Sequence, residues 1–487
     1  MGGLLAGCSV GPVFKPPPAP LQTRYEVSST TVLPSVSGEP VQRLVIGQTL
    51  TGDWWALFHS EQLDAVVKQA LAGNPDLAAA EANLKAARDI ANAARGALYP
   101  QIDFAAAAER QRQNYSAFGL KLPPATFNTF SVGPSVSYSL DPFGKNRSVV
   151  EQRSAQADVQ QYQRDAAYLA LTGNVVSDAI QIAALRAQLK AVSEILADDK
   201  HTLALSRQRA SVGVVSETDV AQAEAQLARD RMMLPPLEQR FSVVRHAFST
   251  LVGKTPAEWR PPAFSLNSLV LPAEIPVTLP SRLVHLRPDI LAAEAELHAA
   301  SAAVGVATAA LYPDITLTGG IQQIAAASLL TWPATVWNLG AGLTVPVFHG
   351  GALVAQQRAA RANYVAATEV YRRTVLHAFA QVADTLDALR HDTEQLSAAD
   401  QALRAADLAL SMAQQNYAVG NIALPDLLDA ERVRQRALLA KTRAEARRYL
   451  DTATLFLAMG GGWWEQPDLA SPLPADVKNA ATQGEAR

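Results

Sequence analysis

The sequence is short of the residues from which catalytic sites and cross-linked domains are made. One of its 487 residues is cysteine, Cys8, so no disulfide can form within the chain and no CxxC metal or redox site exists. Charged residues make up 18% and the formal net charge is -3, which leaves no global basic field to hold nucleic acid. The eight histidines are scattered without an HExxH pattern, and neither a P-loop nor a GxSxG elbow is present. Gly319-Gly320 and Gly350-Gly351 follow strand-like segments without phosphate-binding spacing. Asp384 and Asp387 lie in a long helical stretch, where a solvated face suits them better than acid/base work. The expectation is therefore no catalytic residue, no metal, no cofactor and no enzyme.

Aromatics are also scarce, at 6%, and alanine takes their place. Alanine-rich sequence interleaved with Arg, Gln, Glu and Leu is what long helices need to pack closely side by side. One such segment occurs twice. Residues 74–102 and 287–315 align without gaps at about 15 of 29 identical positions, far more than two alanine-rich helices share by chance. Each copy can start a helix at Pro75 or Pro288 and must stop it at Tyr99-Pro100 or Tyr312-Pro313. Asn74 is the expected N-cap of the first copy, with Asp76 favourably placed in its first turn.

Beyond each stop the period changes from helical to two. Phe130, Val132, Pro134, Val136, Tyr138 and Leu140 alternate with small polar residues, as Ile102, Phe104, Ala106 and Ala108 do less cleanly before them. In the second half Ile315, Leu317, Gly319 and Ile321 form one such face, and Trp337, Leu339, Ala341, Leu343 and Val345 another. Ile315 to Gln357 lacks Asp, Glu, Lys and Arg. Pro333, Pro346 and the glycines nevertheless exclude a transmembrane helix there.

Proline-free helical stretches follow at roughly 148–210 and 351–417, each about 95–100 Å long at 1.5 Å per residue. Both end at Val-Gly, and return helices are expected over 217–251 and 424–458. A strand with one apolar and one polar face can cross a bilayer only within a closed barrel, and bacterial barrels start at about eight strands. One chain supplies four, so three chains would give about 12. The expected fold class is an α+β membrane protein: a trimeric 12-stranded β-barrel continued by a long α-helical barrel, with an internal two-fold sequence repeat. A soluble β-sandwich on a coiled coil competes poorly, because two hairpins make a thin core.

The order helix, hairpin, long helix, Val-Gly turn and return helix resembles the TolC family of outer-membrane efflux proteins over about residues 8–460. CSVGPVF at 8–14, WWALF at 54–58, NPDL and RPDI, both ALYP segments, LDPFGKNR at 140–147 and PVFHGG at 346–351 resemble its lipid-anchored, OprM/NodT-like branch. The chain then divides into 1-7, a residual signal peptide; 8-60, a lipid-anchored extended segment; 61-253, repeat 1 with hairpin 101-141; 254-280, an equatorial linker; 281-460, repeat 2 with hairpin 314-347; and 461-487, a tail. Leu5-Ala6-Gly7-Cys8 matches a lipobox, and an unmodified thiol is the plainer alternative. Only seven residues precede Cys8 and none is basic, so either Met1 is not the native start or the signal has been trimmed.

The resemblance implies a homotrimer in outer-membrane lipid, extending into the periplasm to meet a periplasmic adaptor (membrane fusion) protein of an inner-membrane efflux pump, of the RND type. Nucleic acid is not an expected partner. Val212, Gly213, Val419 and Gly420 would be the adaptor-docking tips. Asp426 and Asp429 would form acidic rings at the periplasmic entrance, while Tyr417 and Asp219 match positions linking neighbouring coils in the closed state. Ile422 stands where the family's latch has arginine. The acids have a simpler use in stabilising helix starts, Ser216 to Asp219 being a capping-box spacing, and the glycines are ordinary helix-ending residues in either case. A passive exit duct for drugs or other small molecules accounts for all these features. An exit duct for secreted proteins is the neighbouring alternative, and a coiled-coil structural lipoprotein the more distant one.

Overall fold

The computed structural model describes residues 10–25, 32, 33, 41–114, 116, 119, 121, 123–325 and 334–465. Cys8, the segment 1-7 and the tail beyond Glu465 lie outside the described residues. In chain order the elements are β1 (Arg43–Ile46), α1 (Glu61–Gly73), α2 (Pro75–Gly96), β2 (Gln101–Gln113), β3 (Ala125–Ser139), α3 (Lys145–Ser211), α4 (Glu217–Arg231), α5 (Leu234–Leu251), β4 (Glu274–Val277), α6 (Pro280–Leu283), α7 (Pro288–Ala309), β5 (Asp314–Ala325), β6 (Ala334–Thr344), α8 (Ala352–Ala418) and α9 (Leu424–Ala458).

The duplication is visible in the elements. α2 and α7 have 22 residues each and α3 and α8 have 67 each. Asn74 caps α2 as expected, its Oδ1 accepting from the Asp76 and Leu77 amides at 2.9 and 3.0 Å. Windows of α3 and α7 are apolar enough to cross a membrane, but they are 67% and 50% buried within the chain; helix packing already uses much of that apolar surface.

The described residues fall into two compact units. The first comprises those of Met1–Pro17, Ala82–Gln161 and Ala292–Arg372. Its four-stranded sheet has the order β2-β3-β5-β6, antiparallel throughout, with β2 and β6 at the edges. Strand β3 stops at Ser139, two residues short of the expected hairpin boundary, because Asp141 takes a left-handed conformation with φ 46°. Its carboxylate then accepts from the Asn146 and Arg147 amides, both at 3.0 Å. These are otherwise unpaired first-turn donors of α3, so Asp141 both ends the strand and starts the helix.

The second unit comprises the described residues of Pro18–Glu81, Tyr162–Leu291 and Arg373–Arg487. Trp54, Trp55 and Phe58 are fully buried there, and Trp54 and Phe58 meet Phe456 edge to face. The linker is more ordered than a proline-rich connection implies: β4 pairs in parallel with β1, Arg43 facing Glu274. One sequence expectation needs correction. The first return arm is not a single helix over 217–251, because it breaks at Met232-Met233 between α4 and α5. Pro235 and Pro236 cannot donate to the preceding turn and sit without penalty only where a new helix begins. The second arm, α9, has its proline only at the start and runs unbroken for 35 residues.

Candidate functional site

Two parts of the chain have geometry that calls for a function, and each lies within one unit. The first is the sheet. Cross-strand register aligns Ile102 with Val136, Val136 with Gly319, and Gly319 with Leu339. The adjacent row places Ser135 beside Gly320 and Gly320 beside Asn338, so the alternation read from each strand becomes one apolar and one small polar face. Among the described residues nothing covers the apolar face. Phe104 is 73% exposed, Trp337 73% and Leu339 82%. A four-stranded sheet with open edges and such a face is unfinished in water, and the face suits lipid.

The second part is the pair of turns at the ends of α3 and α8. Gly213 and Gly420 have φ of 74° and 79°. The Gly213 and Val214 amides bond back to the Ala210 and Arg209 carbonyls, and those of Gly420 and Asn421 to Tyr417 and Asn416. Both turns are therefore Schellman motifs, which need the left-handed residue that glycine supplies. Val212, Val214 and Val419 project from them, 67–71% exposed.

Around the turns, Leu203, Val220, Leu227, Leu410, Tyr417, Leu424 and Leu427 form one apolar cluster joining α3, α4, α8 and α9, with Ile422 packed against it. Asp219 makes the expected capping box. It accepts from the Ser216 amide and hydroxyl, both at 2.9 Å, and its own amide donates to Ser216 Oγ at 3.2 Å. Tyr417 is buried beside Arg209, whose guanidinium lies 4.5 Å from the ring centre. The Tyr417 hydroxyl has no hydrogen-bond partner among the described residues. Asp426 and Asp429 are exposed on the first turns of α9; Asp426 accepts from the Ala423 amide at 3.1 Å, and Asp429 lies 3.7 Å from Arg432.

Arg209 is the residue that the sequence pattern does not single out. Standing near the end of α3, it donates to the Tyr417 and Ala418 carbonyls at 2.8 and 2.9 Å. The Tyr417 carbonyl also accepts from the Gly420 amide at 3.1 Å, and both carbonyls stand at the end of α8, where the helix dipole favours a cation. One arginine thus ties the two turns together while an apolar residue occupies position 422. A basic residue in the last turn is a recognised ending signal, but its reach to the other turn is a tertiary fact.

An incomplete two-faced sheet joined to paired long helices defines a subunit of a membrane channel. Comparison with known proteins places it more closely. The sequence profile described as Outer membrane efflux protein matches residues 66–253 and 279–461. "Pyoverdine export outer membrane protein OpmQ" of Pseudomonas aeruginosa is 31% identical over 414 residues, covering 84% of this chain and 87% of that protein. "Probable outer membrane lipoprotein SilC" of Salmonella typhimurium is 28% identical over 469 residues, 95% of this chain and 97% of that protein. The solved outer-membrane channel OprN is similar with a TM-score of 0.85 at 27% identity, over 94% of this chain and 100% of that one. The chain belongs to the outer membrane efflux protein family, with the TolC-like fold of four strands and long helices. It is an outer-membrane channel component of an efflux system, not an enzyme.

Proposed function

We propose that three copies of this chain form a passive exit duct for small molecules, closed as a 12-stranded barrel and continued by their helices across the periplasm. The observation that carries this reading is the sheet, with free edges at β2 and β6 and an apolar face left bare. Joining β6 of one copy to β2 of the next satisfies the backbone groups that lipid cannot. Three such sheets make about 12 strands, and the near-equal halves of each chain then imitate a six-fold ring.

The duct is fed by an inner-membrane pump of the RND type through a periplasmic adaptor that docks on Val212, Gly213, Val419 and Gly420. Their exposed valines and glycine-shaped turns suit a complementary helical surface. Asp426 and Asp429 ring the entrance, and Asp219 and Tyr417 hold the coils that border it. Relatives are named for export of pyoverdine and antibiotics and for cation efflux, which favours small solutes over secreted proteins as the cargo.

Cys8 carries a lipid that adds a second attachment to the outer membrane. In support, the Val10 amide donates to the Phe143 carbonyl at 3.4 Å and Phe14 stacks on His298 at 4.4 Å. Residue 10, two positions after Cys8 in the sequence, is thereby held beside the joint between β3 and α3. One experiment tests barrel and anchor together. Cells fed radiolabelled palmitate and expressing the wild type or Cys8→Ser are fractionated. Both proteins should remain in the outer membrane until detergent is added, with label only on the wild type. A Cys8→Ser protein released by aqueous buffer would overturn the barrel, and an unlabelled wild type would overturn the anchor.

A further inference from the structure

The return arms are packed against the long helices through carboxyl groups that face one another. Asp199 of α3, Asp230 of α4 and Glu431 of α9 are all buried, at 2, 5 and 3% exposure. The Asp199 carboxyl lies within hydrogen-bond reach of that of Asp230. Their neutral neighbours satisfy only part of the group: Gln226 Nε2 donates to Asp230 Oδ2 at 2.6 Å, Gln435 Nε2 to Asp199 Oδ1 at 3.4 Å and Thr202 Oγ1 to Glu431 Oε1 at 2.7 Å. Asp199 Oδ2 and Glu431 Oε2 are buried with no hydrogen-bond partner among the described residues. The charged groups around them offer little help. Asp198 adds a further negative charge, Arg434 is spent on Asp198 and Asp407, and Arg229 on the Gln226 carbonyl oxygen.

A second pair lies in the other half of the coil. Asp392 of α8 is 8% exposed, and its carboxyl reaches that of Asp451 on α9. Its Oδ2 likewise has no partner among the described residues. The cation facing it is Arg447, which also donates to Gln395 Oε1 at 3.2 Å.

Two ionised carboxylates pressed together in a buried site have four acceptors and no donor. A proton on one turns repulsion into a hydrogen bond. We propose that the two pairs are proton-dependent clamps: a shared proton holds α4 against α3 and another holds α9 against α8, and their loss in alkaline medium loosens the return arms. Burial, reinforced by the facing acids, pushes Asp199 and Asp392 well above the usual carboxylate range. Burial likewise pushes Glu431 up to about 7. Because these folded-state values are raised, the stabilisation is fully present below the ordinary carboxylate value and is lost as pH rises through the raised ones. The coil is accordingly tightest in acid, loosens as pH rises towards neutrality and has lost this stabilisation in alkaline medium.

The test is hydrogen exchange of the full-length protein in detergent at about pH 6 and about pH 9, with rates divided by the intrinsic chemical rate. Opening of segments 195–235 and 388–396 should rise about tenfold in the wild type. Asp230→Asn and Asp392→Asn supply a permanent donor, and each should abolish the rise in its own segment. Wild-type rates that do not change with pH, or variants that keep the wild-type dependence, would overturn the proposal. Infrared spectroscopy of the wild type decides independently of how the variants fold. A protonated-carboxyl band should be present near neutrality and vanish by about pH 9, and its absence near neutrality would overturn the proposal.

Discussion

Cells producing Gly133→Val are expected to hold less than about a tenth of the wild-type amount of this protein in their outer membranes. Gly133 lies in β3, a strand paired on one side with β2 and on the other with β5. A Cβ at this position would stand 2.0 Å from the Ile321 carbonyl oxygen and 2.8 Å from Gln322 Cα. Both are backbone atoms of β5, so no rotamer change relieves the overlap. Moving β3 the other way meets β2, which pairs with it from Gln101 to Gln113. The strands must separate, at a cost of about 3 kcal/mol or more, the upper range for an overfilled interior. The loss falls on the one sheet from which the barrel is made. Gly342→Ala in β6 is the matched control, because its Cβ would find its nearest neighbour, Thr316 O, at 3.8 Å. Immunoblots of outer-membrane fractions measure both. Normal accumulation of Gly133→Val would contradict the packing of β3 on β5.

Replacing Asp426 and Asp429 together with alanine should take away most of the channel's preference for cations and raise its conductance at low salt about two- to fivefold, reading the two acids as entrance rings. They are exposed and three residues apart, on neighbouring turns of one helix. In a three-fold assembly they place six carboxylates around the opening. Charges in water about 10 Å apart interact by only about 0.4 kcal/mol, so the effect comes from their sum. It is also screened: the Debye length falls from about 10 Å at 0.1 M salt to about 3 Å at 1 M. The difference between variant and wild type should therefore shrink at high salt. Asp426 also caps α9 through the Ala423 amide, and losing a cap costs about 1 kcal/mol. Asp426→Asn with Asp429→Asn removes charge while leaving an oxygen to accept from Ala423, and it should reproduce the selectivity change. Planar-bilayer recordings with a salt gradient read the ion preference directly. Unchanged selectivity in the asparagine pair would leave these acids with a capping role alone.

What the sequence makes legible follows the range of the interaction concerned. Asn74, the ALYP segments and the Val-Gly turns act on their own few neighbours, and they predict the ends of α2, α7, α3 and α8 to within a few residues. The alternating faces of β2, β3, β5 and β6 are local too, and with the four-strand count they already point to a membrane. The break at Met232-Met233 is missed because Leu234-Pro235-Pro236 fits either a kink inside one helix or the start of another. The pairing of β1 with β4 joins residues some 230 apart, and nothing in either short apolar run announces the other. At the turns, Asp219 and Gly213 can be read locally. Arg209 cannot, because its role depends on carbonyls about 200 positions further along. The buried acids are the clearest case: Asp199, Asp230 and Glu431 each look like ordinary solvated helix residues until three helices bring them together.

The central claim is that four strands per chain are completed by other copies of the same chain. Native mass spectrometry of the protein extracted from outer membranes in mild detergent tests it most directly. A dominant species of three chains is expected, each near 51.9 kDa apart from any processing and attached lipid. A channel-forming preparation that is monomeric or dimeric would contradict it, since four or eight strands would then have to form the wall assigned to 12.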